Sequence, residues 1–278
     1  MEISGTTWHD LNANGIKEEG EPGLSGSTVT LYDRDNDFVG IHITNNDGNF
    51  LFEDLPPGTY HTILSPPSPE YLLSPKENDN DSDFNPDTFL TTPIVLNSGE
   101  SGEGFFDAGL YLPAKIGDRV WYDEFPDGVQ GGDEGAYDGL VTITLRDNRG
   151  FVVSTTTPET GSGFYQFDGL IPGTYELMAE IDELGYVFTF QSRGNDTSID
   201  SDVSATTGKV TVTLTSGEDN NSIDIGIMDD APYYPDWQND NQICTNDGFD
   251  PEWLEIQRVN YLYKNKEACC KVSKNSSS

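Results

Sequence analysis

The sequence predicts an all-β protein of two tandem antiparallel β-sandwiches, followed by a small module that contains the cysteines. Three observations predict it. A stretch of roughly 110 residues occurs twice. Within each copy, short runs alternate apolar and polar side chains, the period of a half-buried strand. Turn formers are abundant, with 29 Gly and 16 Pro in 278 residues, which suits many short strands.

The elements follow in order. Ile3 to Trp8 reads as a leading strand, and a loop rich in Asp, Asn and Gly comes next. The segments 27–33, 38–44, 48–54, 59–65 and 105–111 then alternate as strands, punctuated by Asp35-Asn-Asp37, Asn46-Asp-Gly48 and Pro56-Pro-Gly58. Residues 5–34 align with 118–147, so that Trp8 and Asp10 match Trp121 and Asp123. Residues 48–60 align with 163–175, and Phe106-Asp-Ala-Gly-Leu110 aligns with Ile223-Asp-Ile-Gly-Ile227. A unit this long is a whole domain rather than a solenoid repeat. The expected organisation is therefore one sandwich over 1–112, a second over 115–228 and a tail over 229–278. The short linker Leu112-Pro113-Ala114 suggests a stalk of end-to-end modules.

Composition narrows the function. Fourteen basic residues stand against 49 acidic ones, for a formal charge of -35. Too few Lys and Arg are present to neutralise phosphates, which argues against nucleic acid and acidic membrane surfaces as partners. Self-repulsion at this charge opposes compaction, and bound divalent cations offset it most directly. Acidity serving only solubility is the competing reading. No apolar run approaches the length that spans a bilayer, so no membrane insertion is expected. The first residues lack a signal-peptide pattern, so a secreted form would need a leader outside this sequence. Asn-x-Ser/Thr sequons begin at Asn80, Asn195, Asn220 and Asn275.

The loop after the first strand carries the chemistry. Asp10, Asn12, Asn14, Gly15, Ile16 and Glu21 fit D-x-[DN]-x-[DN]-G-x5-E at every fixed position. Asp10, Asn12 and Asn14 present side-chain oxygens, Ile16 offers its carbonyl, and Glu21 closes the shell with two oxygens, a set that suits Ca2+. A strand rather than a helix precedes it, so this is calcium-loop chemistry on a β scaffold. An Asn/Gly-rich turn capped by its own side chains is the alternative. The second copy keeps Asp123, Asp127, Gly128, Val129 and Glu134, but Phe125 stands where an oxygen should be, so a weaker site is expected. Two further pairs, Asp81/Asp83 and Asp200/Asp202, recur at equivalent positions, as do Asp107 and Asp224 in the closing strands. Carboxylates so close repel unless a cation lies between them, which makes these residues candidate ligands of a second ion.

The order of these motifs, Trp-x-Asp, the Asp/Asn-Gly-x5-Glu loop, Gly-x-Tyr/Phe-x-Phe, Leu-x-x-Gly-x-Tyr, Asp-Ser-Asp and a closing Asp-x-Gly strand, resembles the B-type repeats of serine-aspartate repeat surface adhesins. These belong to the collagen-adhesin B-type, prealbumin-like group. The resemblance covers residues 3–228 and implies Greek-key sandwiches of prealbumin/Ig-like type that bind calcium and act as rigid spacers or adhesive elements. It also implies an extracellular, cell-surface location, with matrix or cell-wall components, polysaccharide or protein, as partners. Some relatives carry a Lys–Asn crosslink. None is expected here, because the first strand of unit one has no Lys and Asp107 and Asp224 stand where Asn would be needed.

No nucleophile elbow, P-loop or dinucleotide fingerprint occurs, and His9, His42 and His61 lack metal-type spacing, so no enzymatic activity is expected. A structural or adhesive stalk is the leading reading. The alternatives are a carbohydrate-binding module and accessory domains of a larger extracellular enzyme. In the tail, Trp237 and Trp253 join Tyr233 and Tyr234 and all three cysteines. This pattern resembles small modules of secreted, cell-wall-associated diatom-type proteins. Cys269 and Cys270 are adjacent and poorly placed to bond to each other. One of them is expected to pair with Cys244 in an oxidising compartment, leaving the other odd. Thiol titration of secreted protein should therefore find one thiol, or a covalent dimer. Three free thiols would contradict an extracellular assignment.

Overall fold

The computed structural model describes residues 1–75, 82–98, 103–230, 234–236 and 243–245. The chain divides into two compact units, the first built mainly on Met1–Ala114 and the second on Lys115–Phe167, Thr174–Val212 and Asp219 onward. The tail's calls on Cys269, Cys270, Trp237 and Trp253 lie outside the described residues.

Among its described residues the first unit contains nine strands: β1 (Glu2–His9), β2 (Thr28–Asp33), β3 (Phe38–Ile43), β4 (Asn49–Phe52), β5 (Gly58–Ser65), β6 (Leu72–Leu73), β7 (Ile94–Leu96), β8 (Glu103–Phe105) and β9 (Ala108–Tyr111). One sheet runs β4-β1-β9-β6, with β8 also on β1, and the other runs β3-β2-β5-β7. The alternation read from sequence sets which side chains enter the core. Val29 and Leu31 from β2, Phe50 and Phe52 from β4, and Tyr60 and Leu64 from β5 are buried against Ile3 and Leu110. The intervening residues of β4 and β3 face outward.

The second unit repeats the plan with β10 (Ala114–Tyr122), β11 (Val141–Asp147), β12 (Val152–Thr156), β13 (Phe164–Leu170), β14 (Gly173–Ile181), β15 (Tyr186–Phe188), β16 (Lys209–Leu214), β17 (Asp219–Asn220) and β18 (Ile225–Asp229). Its sheets run β13-β10-β18-β15, with β17 also on β10, and β12-β11-β14-β16. In the tail, β19 (Tyr234–Asp236) pairs antiparallel with β20 (Ile243–Thr245), which carries Cys244.

The sandwiches are all-β as expected, with one departure from antiparallel pairing. In each unit the leading strand pairs in parallel with the closing ones: β1 with β8 and β9, and β10 with β17 and β18. Parallel neighbours need a long crossover, and here the whole intervening module supplies it. Alternation within short segments carries no information about a pairing 100 residues away.

This parallel junction positions the loops. Thr7, Trp8 and His9 lie beside Ala108, Gly109 and Leu110, and Val120, Trp121 and Tyr122 lie beside Ile225, Gly226 and Ile227. Trp8 and Trp121 are fully buried. Each indole packs against the closing-strand glycine: a Cβ on Gly109 would sit 2.9 Å from Trp8, and one on Gly226 would sit 2.7 Å from Trp121 and 2.4 Å from Thr189. The Asp-x-Gly signature is thus a packing requirement. Replacing Gly226 with Ala should destabilise the protein by about 1–3 kcal/mol through overpacking, read by urea denaturation. Gly132→Ala, where a Cβ meets nothing within 4 Å, should leave the midpoint nearly unchanged.

Candidate metal centres

In the first unit, the chain leaves β1 at His9 and turns directly into the loop. Asp10 is fully buried, its amide donating to the Leu110 carbonyl at 2.9 Å. Its Oδ2 accepts the Gly15 amide at 2.7 Å, while its Oδ1 is buried without a hydrogen-bond partner. Gly15 reaches this amide geometry at φ 74°, a region that costs a glycine little. Asn12 Oδ1 accepts the Asn14 amide at 3.0 Å, and Asn14 Oδ1 accepts the Ile16 amide at 2.7 Å. Glu21 closes the loop by accepting the Leu11 amide at 2.8 Å and the Glu18 amide at 3.1 Å. Burial pushes its carboxyl above the usual range, against those two amides.

The second loop reproduces the frame. Asp123 is buried, its Oδ2 accepts the Gly128 amide at 2.9 Å and the Thr189 hydroxyl, and its Oδ1 has no partner. Asp127 Oδ1 accepts the Val129 amide at 2.8 Å. Glu134 accepts the amides of Phe125 at 3.1 Å and Gly131 at 2.7 Å. The Phe125 side chain points outward and is 59% exposed. Phe125 therefore removes one oxygen from the set and leaves the loop's shape intact. Burial pushes the Asp123 carboxyl up to about 7, opposed by its Thr189 and Gly128 hydrogen bonds and reinforced by Glu134 and Asp127.

Self-capping by Asn12, Asn14 and Asp127 is what a plain turn would show. It leaves a second lone pair on each of those oxygens. The plain turn leaves Asp10 Oδ1 and Asp123 Oδ1 unexplained, because a buried carboxylate oxygen without a donor is costly. A divalent cation would satisfy both, so the residues present fit a hard, oxygen-seeking ion. Among the described residues no three Asp, Glu, His or Cys side chains converge as a cage of their own. An ion would draw on the amide and carbonyl oxygens as well.

The aspartate pairs behave differently in the two units. In the first, Asp83 Oδ2 accepts the Asp107 amide at 2.8 Å, and Asp107 Oδ1 accepts the Thr6 amide at 2.7 Å. Asp81 lies outside the described residues. In the second, Asp202 Oδ2 accepts the Asp224 amide at 2.7 Å, Ser201 bridges to Asp224, and Asp200 bridges to Val129. The fold thus sets the loop beside the Asp200–Asp202 segment. Asp224 is 1% exposed, and neither of its oxygens makes a hydrogen bond. The Arg119 amide lies near enough to oppose its shift without reaching hydrogen-bond geometry. Burial, then Asp118 and Asp202, push the Asp224 carboxyl up to about 8. Asp202 rises to about 7, chiefly by burial.

Sequence reasoning missed Asp118 and Thr189. Asp118 stands where the first copy has Gly5, so repeat matching passed over it. Its carboxyl is itself raised by burial, against the pull of Arg119. The hydroxyl of Thr189 carries no spacing signature, although Ser74 occupies the matching place beside Gly109.

Fold and site together define a tandem pair of β-sandwich modules, each with an acidic loop at the junction of its first and last strands. The chain belongs to the SdrD B-like domain family, whose model matches residues 1–110 and 114–227. Serine-aspartate repeat-containing protein F of Staphylococcus epidermidis is 33% identical over 227 residues, covering 81% of this chain and 12% of that protein. Serine-aspartate repeat-containing protein D of Staphylococcus aureus (strain Newman) is 36% identical over 225 residues, covering 79% of this chain and 16% of that protein. The chain therefore spans less than a fifth of the length of these relatives. The minor pilin GBS52 of Streptococcus agalactiae overlaps 82% of this chain and 95% of its own at 13% identity and a TM-score of 0.30, which adds nothing to the topology above. The family match ends at residue 227, so the tail's resemblance stays an expectation from sequence.

The shifted aspartates fix a sign for the pH dependence. In chelator, Asp123, Asp202 and Asp224 titrate near 7–8 in the fold and near 4 in the unfolded chain. Between those values the folded state holds more protons, so stability falls as pH rises. Melting in chelator from pH 5 to 9 should show a declining midpoint, each kcal/mol lost lowering it by roughly 4–8 °C. A flat or rising midpoint would show that these groups ionise without cost.

Proposed function

We propose that this chain forms calcium-stabilised structural stalk modules of a cell-surface adhesin and performs no catalysis itself. Asp10, Asn12, Asn14, Glu21 and the Ile16 carbonyl would hold one ion. Asp123, Asp127, Glu134 and the Val129 carbonyl would hold its weaker counterpart. Asp200, Asp202 and Asp224, joined by Asp118, would serve a further ion in the second unit, and Asp83 and Asp107 in the first. The bound ion supplies positive charge to carboxylates that the fold buries. The residues themselves do the rest: Gly15 and Gly128 direct their amides at the first aspartate, and Glu21 and Glu134 tie the loop's two ends together.

The observation that carries this reading is the buried, partnerless oxygen on Asp10 and on Asp123, at the first position of a calcium-type loop in both repeats. Family membership supports the structural role, and the absence of a nucleophile–base constellation in the sequence supports the lack of catalysis. Matrix or cell-wall partners, protein or polysaccharide, belong to the same proposal.

The test is thermal melting of the full chain in calcium, in magnesium and in chelator. At free calcium about 100 times the dissociation constant, each site should add about 2.7 kcal/mol. Asp10→Ala or Glu21→Ala should abolish most of the calcium shift of the first unit, with a smaller effect from Asp123→Ala. Equal midpoints in calcium and chelator would show that the loops are only turns.

A further inference from the structure

The second unit contains a cavity of about 710 Å³ that the metal centres do not use. Three tyrosines wall it. Tyr122 ends β10, Tyr186 begins β15, and Tyr137 lies on the segment returning from the loop, where its amide donates to the Val120 carbonyl at 3.1 Å. The rings of Tyr122 and Tyr137 are nearly parallel, 18° apart with centroids separated by 6.4 Å. The Tyr186 ring stands across both, at 78° to Tyr122 and 72° to Tyr137, with centroids 6.4 and 5.2 Å away. Rings at these separations pack on one another as an aromatic cluster, and the cavity that they line is open to solvent. A cation seated in the cavity would meet a ring face of the cluster within about 6 Å, the range of a cation–π contact.

The rim is acidic. Glu124, Asp138, Glu183 and Asp229 line the same cavity, and none of its lining residues among the described ones is basic. Two of these carboxylates act on the rings. The Tyr137 hydroxyl donates to Glu183 at 3.2 Å, and the Tyr122 hydroxyl is hydrogen-bonded to Asp229. Burial and these carboxylates push both phenols well above their usual range, so they stay neutral donors. Donation to an anion adds electron density to the ring and strengthens its negative face. Gly139 makes room for the arrangement: a Cβ there would lie 2.4 Å from the Tyr137 hydroxyl and 2.5 Å from Glu183.

The first unit serves as an internal control, because repeat alignment keeps a tyrosine only at the Tyr186 position, as Tyr71, and puts different chemistry at the others. His9 replaces Tyr122, Leu24 replaces Tyr137, Leu11 replaces Glu124 and Leu112 replaces Asp229. What persists is one edge-on contact of His9 with Tyr71, at 5.6 Å and 81°. A feature needed only for the sandwich fold would be present in both copies.

We infer that the open acidic cavity lined by Tyr122, Tyr137 and Tyr186 is a recognition site for a cationic side chain of lysine type, presented by a protein partner. The tyrosine cluster supplies a cation–π face, and the four rim carboxylates supply the counter-charge and steer the approach. A sugar ligand would call for mixed donors and acceptors, whereas the described rim offers four carboxylate acceptors and no basic donor.

The test is titration calorimetry of the full chain at fixed calcium with Nε-trimethyl-lysine amide and with a lysine-containing tripeptide. The probes are set against a neutral analogue carrying a tert-butyl group in place of trimethylammonium. Saturable binding of the cations with none of the neutral analogue is expected. Tyr186→Leu should weaken it roughly 5- to 30-fold, Glu183→Gln should weaken it less, and Tyr71→Leu in the first unit should not change it. Equal binding of the neutral analogue would overturn the proposal in favour of an apolar slot. Cation binding unaffected by Tyr186→Leu would reduce it to the diffuse field of the acids. Binding of a neutral oligosaccharide without the cations would make it a sugar site. Should Tyr186→Leu fail to fold, the comparison of charged and neutral probes on the unaltered protein still decides.

Discussion

Each sandwich is organised around one buried aspartate, Asp10 or Asp123, held at the point where the leading strand, the closing strand and the first loop meet. The carboxylate has no freedom to leave. Its backbone amide is tied to the closing strand, one oxygen is tied to the glycine five residues on, and the neighbouring tryptophan is packed against a glycine that admits no side chain. The remaining oxygen is left inside the protein without a donor. Desolvating a carboxylate in this way is costly, and the repeat of the arrangement in both units marks it as a property of the fold. Strand pairing, loop conformation and charge all converge there.

The overall acidity gains a local meaning from this geometry. Many carboxylates are solvated and contribute only to the protein's field, but a small set is buried where ionisation is opposed. In the second unit the set is larger, because Asp118 on β10 adds its charge to Asp202 and Asp224. The first unit has glycine at that place, and the Thr6 amide donates to Asp107. Two copies of one fold thus manage the same closing-strand aspartate in different ways. The second adds a neighbouring carboxylate that the first lacks.

Divergence continues on the surface. The second unit has exchanged a histidine and aliphatic residues for tyrosines and acids around the end of β10. Backbone hydrogen bonding there is the same in both copies, since Leu24 and Tyr137 each donate to the equivalent strand carbonyl. Side chains have changed on a preserved frame, which is how a repeated structural module acquires a local role without loss of its fold.

Much of this was legible in the linear order of residues. The repeat, the alternating strands, the loop positions from Asp10 to Glu21 and the matched aspartates of the closing strands depend on spacings of two to twelve residues, and such spacings act locally. Phe125 was legible too, as a missing oxygen, although that its backbone would still cap Glu134 was not. What only the tertiary structure decided was adjacency across the sheets. The parallel pairing of first and last strands, the approach of Asp200 to Val129, the arrival of Asp118 and Thr189 beside the buried carboxylates, and the assembly of three tyrosines from separate segments all join residues far apart in the chain. Register between such strands is set by the packing of the whole sandwich, because shifting it by one residue would turn every buried side chain outward. No short-range pattern encodes that cooperative choice, so the ligands could be proposed from sequence while their neighbours could not.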